Sequence, residues 1–205
     1  MAEVLNHLNS IYTESLLNSF AKLDPYESDR YKQPSMKKTT AAFTAQLVTY
    51  ETTLPFKEVI ARLDAEVNKS EAGGALMMKV MAAKTKKEIV DGITGALADK
   101  DFVYFFEMNH DKWMNIYHEA EDTPPAVVYT IGNPFLAETF MRHDIRAGYN
   151  IPPRLMVVHN ANVSLTTVFY HLPSSLVMSD NEEVMRAIRV VDDKLERMIT
   201  RVTAD

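Results

Sequence analysis

Val127-Val128-Tyr129-Thr130-Ile131-Gly132-Asn133-Pro134-Phe135-Leu136 reads as a buried strand, a tight turn and a helix that opens on proline. Ala126–Ile131 is apolar on both faces, as a strand in the middle of a sheet should be. Gly132 tolerates a left-handed backbone. Asn133 is a strong helix N-cap, and Pro134 suits the first helical position, where its missing N–H costs nothing. The turn aims free backbone N–H groups and the positive end of a helix at one spot beside the sheet. A carboxylate, phosphate or enolate oxygen fits such a spot, although the same pattern also makes an ordinary helix start. It is neither a Walker loop nor a dinucleotide fingerprint, which need more glycines and a lysine.

On the N-terminal side, Asp101–Met108 is a second apolar strand (Phe102, Val103, Tyr104, Phe105, Phe106). A short helix opens at Asn109 or His110, runs to Glu119, and is broken by Pro124-Pro125. Phe43–Glu51 alternates with period two and predicts a strand. Pro55 then starts a helix with the stripe Val59, Ile60, Leu63, Val67. Gly73-Gly74 interrupts the chain before helical stretches at 75–81 and 85–97, where Thr85 and Glu88 fit a capping box.

On the C-terminal side, Pro134–His143 is helical and the Gly148–Pro153 region returns the chain to the sheet. Arg154–His159 and Val163–His171 form a hairpin around Asn160-Ala161-Asn162. With a three-residue loop, Leu155 and Val157 face Thr167 and Leu165. Asn181–Thr200 is a helix with the stripe Val184, Ile188, Val191, Leu195, Met198, capped by Asp180 or Asn181. At the other end, residues 1–23 carry a helical stripe from Val4 to Phe20, and 24–38 read as a linker. The expected organisation is a helical extension, 1–40, followed by a single α/β (α+β) domain, 41–205, that includes the C-terminal helix 181–200. Local hairpins and helical crossovers together predict one mixed sheet of about five strands packed by helices.

The net charge of −6 and pI near 5.5 argue against a general nucleic-acid binder or an anionic-membrane binder, both of which need a basic surface. With no cysteine, disulfides, thiol nucleophiles and thiolate metal sites are excluded. Met1–Phe20 lacks the pattern of a signal peptide, and no apolar run approaches the ~18 residues needed to span a bilayer. A cytoplasmic protein is the simplest expectation.

His110 and His118 stand eight residues apart on one helix, about 12 Å along its axis, too far to share a metal. No dedicated metal site and no cofactor are expected. His110 is the best acid–base candidate because it follows Glu107 at a strand end and an imidazole suits proton transfer near neutrality. Trp113, Met114 and Tyr117 surround it and suit an apolar pocket. Arg142, His143, Arg146 and Arg154 offer a cationic rim. Tyr170 and His171 close the last strand, where Tyr170 reaches the mouth at Asn133 if the strands are neighbours. For each of these residues the plain alternative is a packing, capping or solvated role. No Gly-x-Ser-x-Gly elbow exists.

Five features occur in order between about Phe56 and Pro173. They are the helix Phe56–Val67, the strand ending at Asn109-His110, Ala126–Pro134 with its Gly-Asn-Pro turn, the Ile151-Pro152-Pro153-Arg154-Leu155 return, and Val163–Tyr170 with Pro173 behind it. This set resembles domain-of-unknown-function family 302. The resemblance implies a compact α/β domain with a pocket near His110 and Gly132–Pro134, but no reaction. The chain departs from the compact form by its N-terminal extension, an insertion around Gly73–Lys87, and the long C-terminal helix.

Two functional expectations follow. One is a protein that handles a small apolar or anionic molecule, as a binder or as a cofactor-independent isomerase, lyase or hydrolase. There His110 moves a proton, Glu107 orients it, and Gly132-Asn133 steadies an oxyanion, while Trp113, Tyr117, Phe135 and Tyr170 hold the ligand. The other is a non-catalytic domain that forms a homodimer through its terminal helices. Convergence of His110, Asn133 and Tyr170 on one cavity discriminates between the two.

Overall fold

A computed structural model describes residues 36–205, of which residues 43–205 form one unit. The expected helix at 1–23 lies outside the described residues. In chain order the elements are β1 (Leu47–Thr52), α1 (Phe56–Glu66), α2 (Gly74–Ala82), α3 (Lys86–Leu97), β2 (Val103–Asn109) and α4 (His110–His118). They continue with β3 (Ala126–Gly132), α5 (Pro134–Met141), β4 (Arg154–Asn160), β5 (Leu165–His171) and α6 (Glu182–Thr203). Short 3-10 turns at Ile145–Asn150 and Pro173–Leu176 flank the β4–β5 hairpin.

The helix caps follow their local sequences. Thr85 Oγ1 accepts from Glu88 N at 3.2 Å and the Glu88 carboxylate accepts from Lys84 N at 2.8 Å, which closes the expected box one residue early. Asn181 caps α6 by accepting from Glu183 N at 2.9 Å.

The five strands lie in the order β1-β5-β4-β3-β2. Every neighbouring pair is antiparallel, so the sheet is not mixed. α4 and α5 sit in connections that expected crossovers would have occupied. Each connection instead reverses the chain and returns it to the adjacent strand, which needs no crossover.

The β4–β5 register also departs from the expectation. Four residues, Ala161–Ser164, connect the strands, so Leu155 pairs with Tyr170 and Val157 with Val168. The shift from the three-residue loop is odd, and an odd shift exchanges the two faces of the strand. Burial selects the observed register, because Leu155, Val157, Val168 and Tyr170 are all buried on one face.

That face carries the main core. Tyr129 and Ile131 of β3, Leu155 and Val157 of β4, and Val168 of β5 pack with Val59 and Leu63 of α1 and with Val184, Ile188, Leu195 and Met198 of α6. The α6 stripe is therefore covered by its own sheet and is not a free dimer surface, contrary to that part of the assembly expectation. A smaller core joins Leu76 of α2 to Ile93, Ala96 and Leu97 of α3 and to Val103 of β2. Gly73, at φ +85°, turns the chain into α2, and its N–H donates to Tyr104 O at 2.9 Å beside the β2 edge. Among the described residues no helix is long and apolar enough to cross a membrane.

Candidate functional site

β2 and β3 position most of the residues that carry chemistry. Their register slips between Tyr104 and Phe106, so Phe105 is an extra residue in β2. Such a bulge breaks strict alternation. Tyr104 and Glu107, three residues apart, consequently share the face that carries Tyr129.

There they meet Lys69, which follows α1. Lys69 Nζ donates to Glu107 Oε2 at 2.7 Å, to Asp64 Oδ2 at 3.3 Å and to Tyr129 Oη at 3.3 Å. Tyr129 Oη donates to Asp64 Oδ1 at 2.6 Å, and Asn109 Nδ2 donates to Glu107 Oε1 at 3.2 Å. The ammonium also lies 5.3 and 5.1 Å from the ring centroids of Tyr104 and Tyr129, within cation–π range.

The electrostatics lock this group in one protonation state. Burial works against the charge on Glu107, but the Lys69 bond and charge, with the Asn109 bond, outweigh it and hold the carboxyl below its ordinary range. Burial likewise opposes the Lys69 charge, and the bonds to Glu107 and Asp64 prevail and raise its pKa. Burial, then the Asp64 bond and the nearby carboxylate charges, push the Tyr129 phenol far above its ordinary value. Burial and the Glu107 charge raise Tyr104. Lys69 stays charged, Glu107 stays ionised and Tyr129 stays neutral, so the cluster fastens α1 to β2 and β3.

Glu107 thus turns to Lys69 and Asn109 rather than to His110. His110 Nδ1 accepts from Trp113 Nε1 at 3.1 Å, one turn along α4. None of the α4 residues is buried, and Trp113, Ile116 and Tyr117 are 50%, 80% and 76% exposed. Trp113 and Tyr117 therefore face solvent instead of lining a pocket with His110.

The Gly-Asn-Pro turn lies at the opposite end of the strand pair. Gly132 pairs with Val103, whereas Val127 pairs with Asn109. The stretch of β2 from Val103 to Asn109 spans about 20 Å, so His110 and Asn133 do not converge. Tyr170 does not join them either. It is buried in the main core, and burial first, then Tyr50 and the Glu196 and Asp192 charges, raise its phenol.

At the turn, Asn133 Oδ1 accepts from Phe135 N at 2.9 Å and from Leu136 N at 3.3 Å, and Asn133 Nδ2 donates to Asp101 O at 2.9 Å. The side chain itself occupies the place expected for an oxyanion. Gly132 has no positive φ; a Cβ there would come 2.7 Å from the Phe105 ring and 3.2 Å from Pro152 Cβ. Its role is close packing against the bulged Phe105.

That packing borders a cavity of about 390 Å³. Leu76, Met77 and Val80 of α2, Phe105 of β2, the Gly132-Asn133-Pro134 turn, Ala137 of α5 and the Ile151-Pro152 segment line it. Gly132 and Asn133 are the expected site residues that line this cavity; Phe135 lies outside it. Sequence reasoning missed the α2 contribution and the Lys69 cluster. One signal for the cluster was present: Asp64 sits beside Leu63 and one turn from Ile60 and Val67, a carboxylate on the rim of an apolar stripe.

The fold is similar to the crystal structure of the uncharacterized conserved protein DUF302 from Bacillus stearothermophilus. The TM-score is 0.53 at 15% identity, covering 76% of this chain and 97% of that one. No curated protein matches the sequence. The family model described as domain of unknown function DUF302 matches residues 78–202. The match reaches almost to the end of α6, so the C-terminal helix falls inside the family region rather than being an addition to it. Spanning more than half of the sequence, it establishes that the chain belongs to the DUF302 family.

Proposed function

We propose that this protein binds a small apolar molecule in the cavity beside the Gly132-Asn133-Pro134 turn. The observation that supports the reading is the lining: about 390 Å³ bounded by Leu76, Met77, Val80, Phe105 and Ala137, with prolines at 134 and 152. The volume is in the range of small-molecule sites, which are concave and mostly apolar. No acidic, basic or histidine side chain is among these lining residues, and the Asn133 amide is engaged with the backbone. Binding without proton transfer therefore suits the cavity better than the His110 acid–base expectation.

The test uses N-phenyl-1-naphthylamine, whose fluorescence rises in apolar surroundings. Wild-type protein should bind it saturably. Ala137→Phe places a ring in the cavity and should weaken binding about tenfold or more. Trp113→Ser, which trims the exposed α4 surface, should leave it unchanged. Undiminished binding by Ala137→Phe would sink the reading.

A second reading, self-association as a homodimer, is favoured by α4. A helix that holds Trp113, Ile116 and Tyr117 largely in solvent is the kind of apolar surface that partners cover. Sedimentation should show a mass that grows with concentration, and Ile116→Glu should return it to that of one chain. A wild-type chain that stays monomeric at every concentration contradicts this reading.

A further inference from the structure

On the face of the sheet away from the main core, a second concavity of about 280 Å³ lies where β3 ends and β4 begins. Thr130, Arg154 and His171 line it from three adjacent strands. Thr130 pairs with Arg154, and the Leu155–Tyr170 register carried one step further sets Arg154 beside His171. Pro152, Pro153 and Pro173 supply apolar walls whose backbone is pre-set by the rings. Asn150 Nδ2 donates to Leu176 O at 3.0 Å and ties the opposite rim together.

The charges of this cleft are unbalanced. No Asp or Glu lines it. Arg142 and Arg146, nearby in sequence, are paired with Glu138 and Asp144. Among the described residues Arg154 has no carboxylate partner. In a chain of net charge −6, a cation left facing a carboxylate-free concavity is a recognition group for an anion. Its planar fork matches a carboxylate with two parallel hydrogen bonds. The Thr130 hydroxyl and a His171 ring N–H flank the same place as further donors.

We infer that this cleft binds a small carboxylate carried on a flat apolar body. Arg154 holds the carboxylate, Thr130 and His171 flank it, and the proline walls take the ring. The site is separate from the apolar cavity, since Ile151 and Pro152 stand between the two and line both.

The test is a nitrogen-15 NMR titration of the full chain with sodium benzoate, with benzamide as a neutral isostere. Benzoate should shift the amides of Thr130, Arg154 and His171 saturably. Arg154→Gln, on an exposed strand end, should keep the melting temperature and weaken benzoate by about tenfold or more, as loss of a charge-assisted pair implies. Benzamide should bind more weakly by about the same factor. Equal benzoate affinity in Arg154→Gln, or equal binding of benzamide, overturns the inference. Ala137→Phe should leave benzoate affinity unchanged. A loss there as large as in Arg154→Gln would place benzoate in the apolar cavity and overturn it as well.

Discussion

Leu195→Ala should lower the unfolding free energy by about 2–5 kcal/mol, the cost of removing a fully buried leucine and leaving a cavity. Leu195 is 0% exposed, on the α6 stripe that packs against α1 and the sheet. Val190, on the same helix, is 43% exposed, so Val190→Ala should change stability by less than about 0.5 kcal/mol. Urea unfolding of the two variants separates packing from any general effect on the helix. If Leu195→Ala altered the solution mass and left stability almost untouched, α6 would be an interface between copies, contrary to its place in the core.

Lys69→Met should cost about 1–3 kcal/mol near neutral pH, less than the loss for a fully buried pair because water screens a partly exposed group. The side chains of Lys69 and Glu107 are 27% and 21% exposed. Removing the ammonium leaves Glu107 and Asp64 facing one another across Tyr129 with no positive charge between them.

The pH dependence has a definite sign. In the folded wild type Glu107 titrates below its unfolded value. Its contribution is present above the ordinary carboxylate range and is lost as pH falls through the lowered folded value. Lys69 titrates above its unfolded value, so its contribution is complete below the ordinary lysine range and is lost as pH rises through the raised one. The gap between wild type and Lys69→Met should be flat between these limits and narrow beyond either. Unfolding curves at several pH values measure it. A gap that stays constant into strong acid would show that Lys69 acts through its aliphatic stem alone. A double-mutant cycle with Glu107→Gln isolates the pair.

The elements of this fold were largely legible because their causes are local. The Thr85, Asn133 and Asn181 caps, the alternation of β1 and the helical stripe of α6 each depend on residues a few positions apart. So did the Gly-Asn-Pro turn, which is a well-capped helix start, with Asn133 satisfying the N–H groups a ligand would have needed.

The candidate site was legible only in part. Gly132 and Asn133 line a cavity, but the walls they need come from α2 and from the Ile151-Pro152 segment. His110 looked like a partner for Asn133 because it follows the neighbouring strand, yet antiparallel pairing sends the ends of β2 and β3 to opposite edges. Glu107 looked like a partner for His110 because they are three residues apart; a bulge and a lysine 38 residues away redirect it.

By itself the sequence determined which segments are strands and helices and the apolar stripes of the helices, since periodicity and capping act within a few residues; strand ends were less legible, and the strand expected from Phe43 begins at Leu47. Tertiary structure alone decided the strand order, the register and, outside the β4–β5 hairpin, the antiparallel pairing. It also decided the meeting of Asp64 with Tyr129 across 65 residues and the cleft shared by Thr130, Arg154 and His171. The physical reason is that pairing is chosen by total burial over the whole sheet. In β4 and β5 an odd slip exchanges the core face for the outer one, and only the assembled core reveals which register buries Leu155, Val157, Val168 and Tyr170 together.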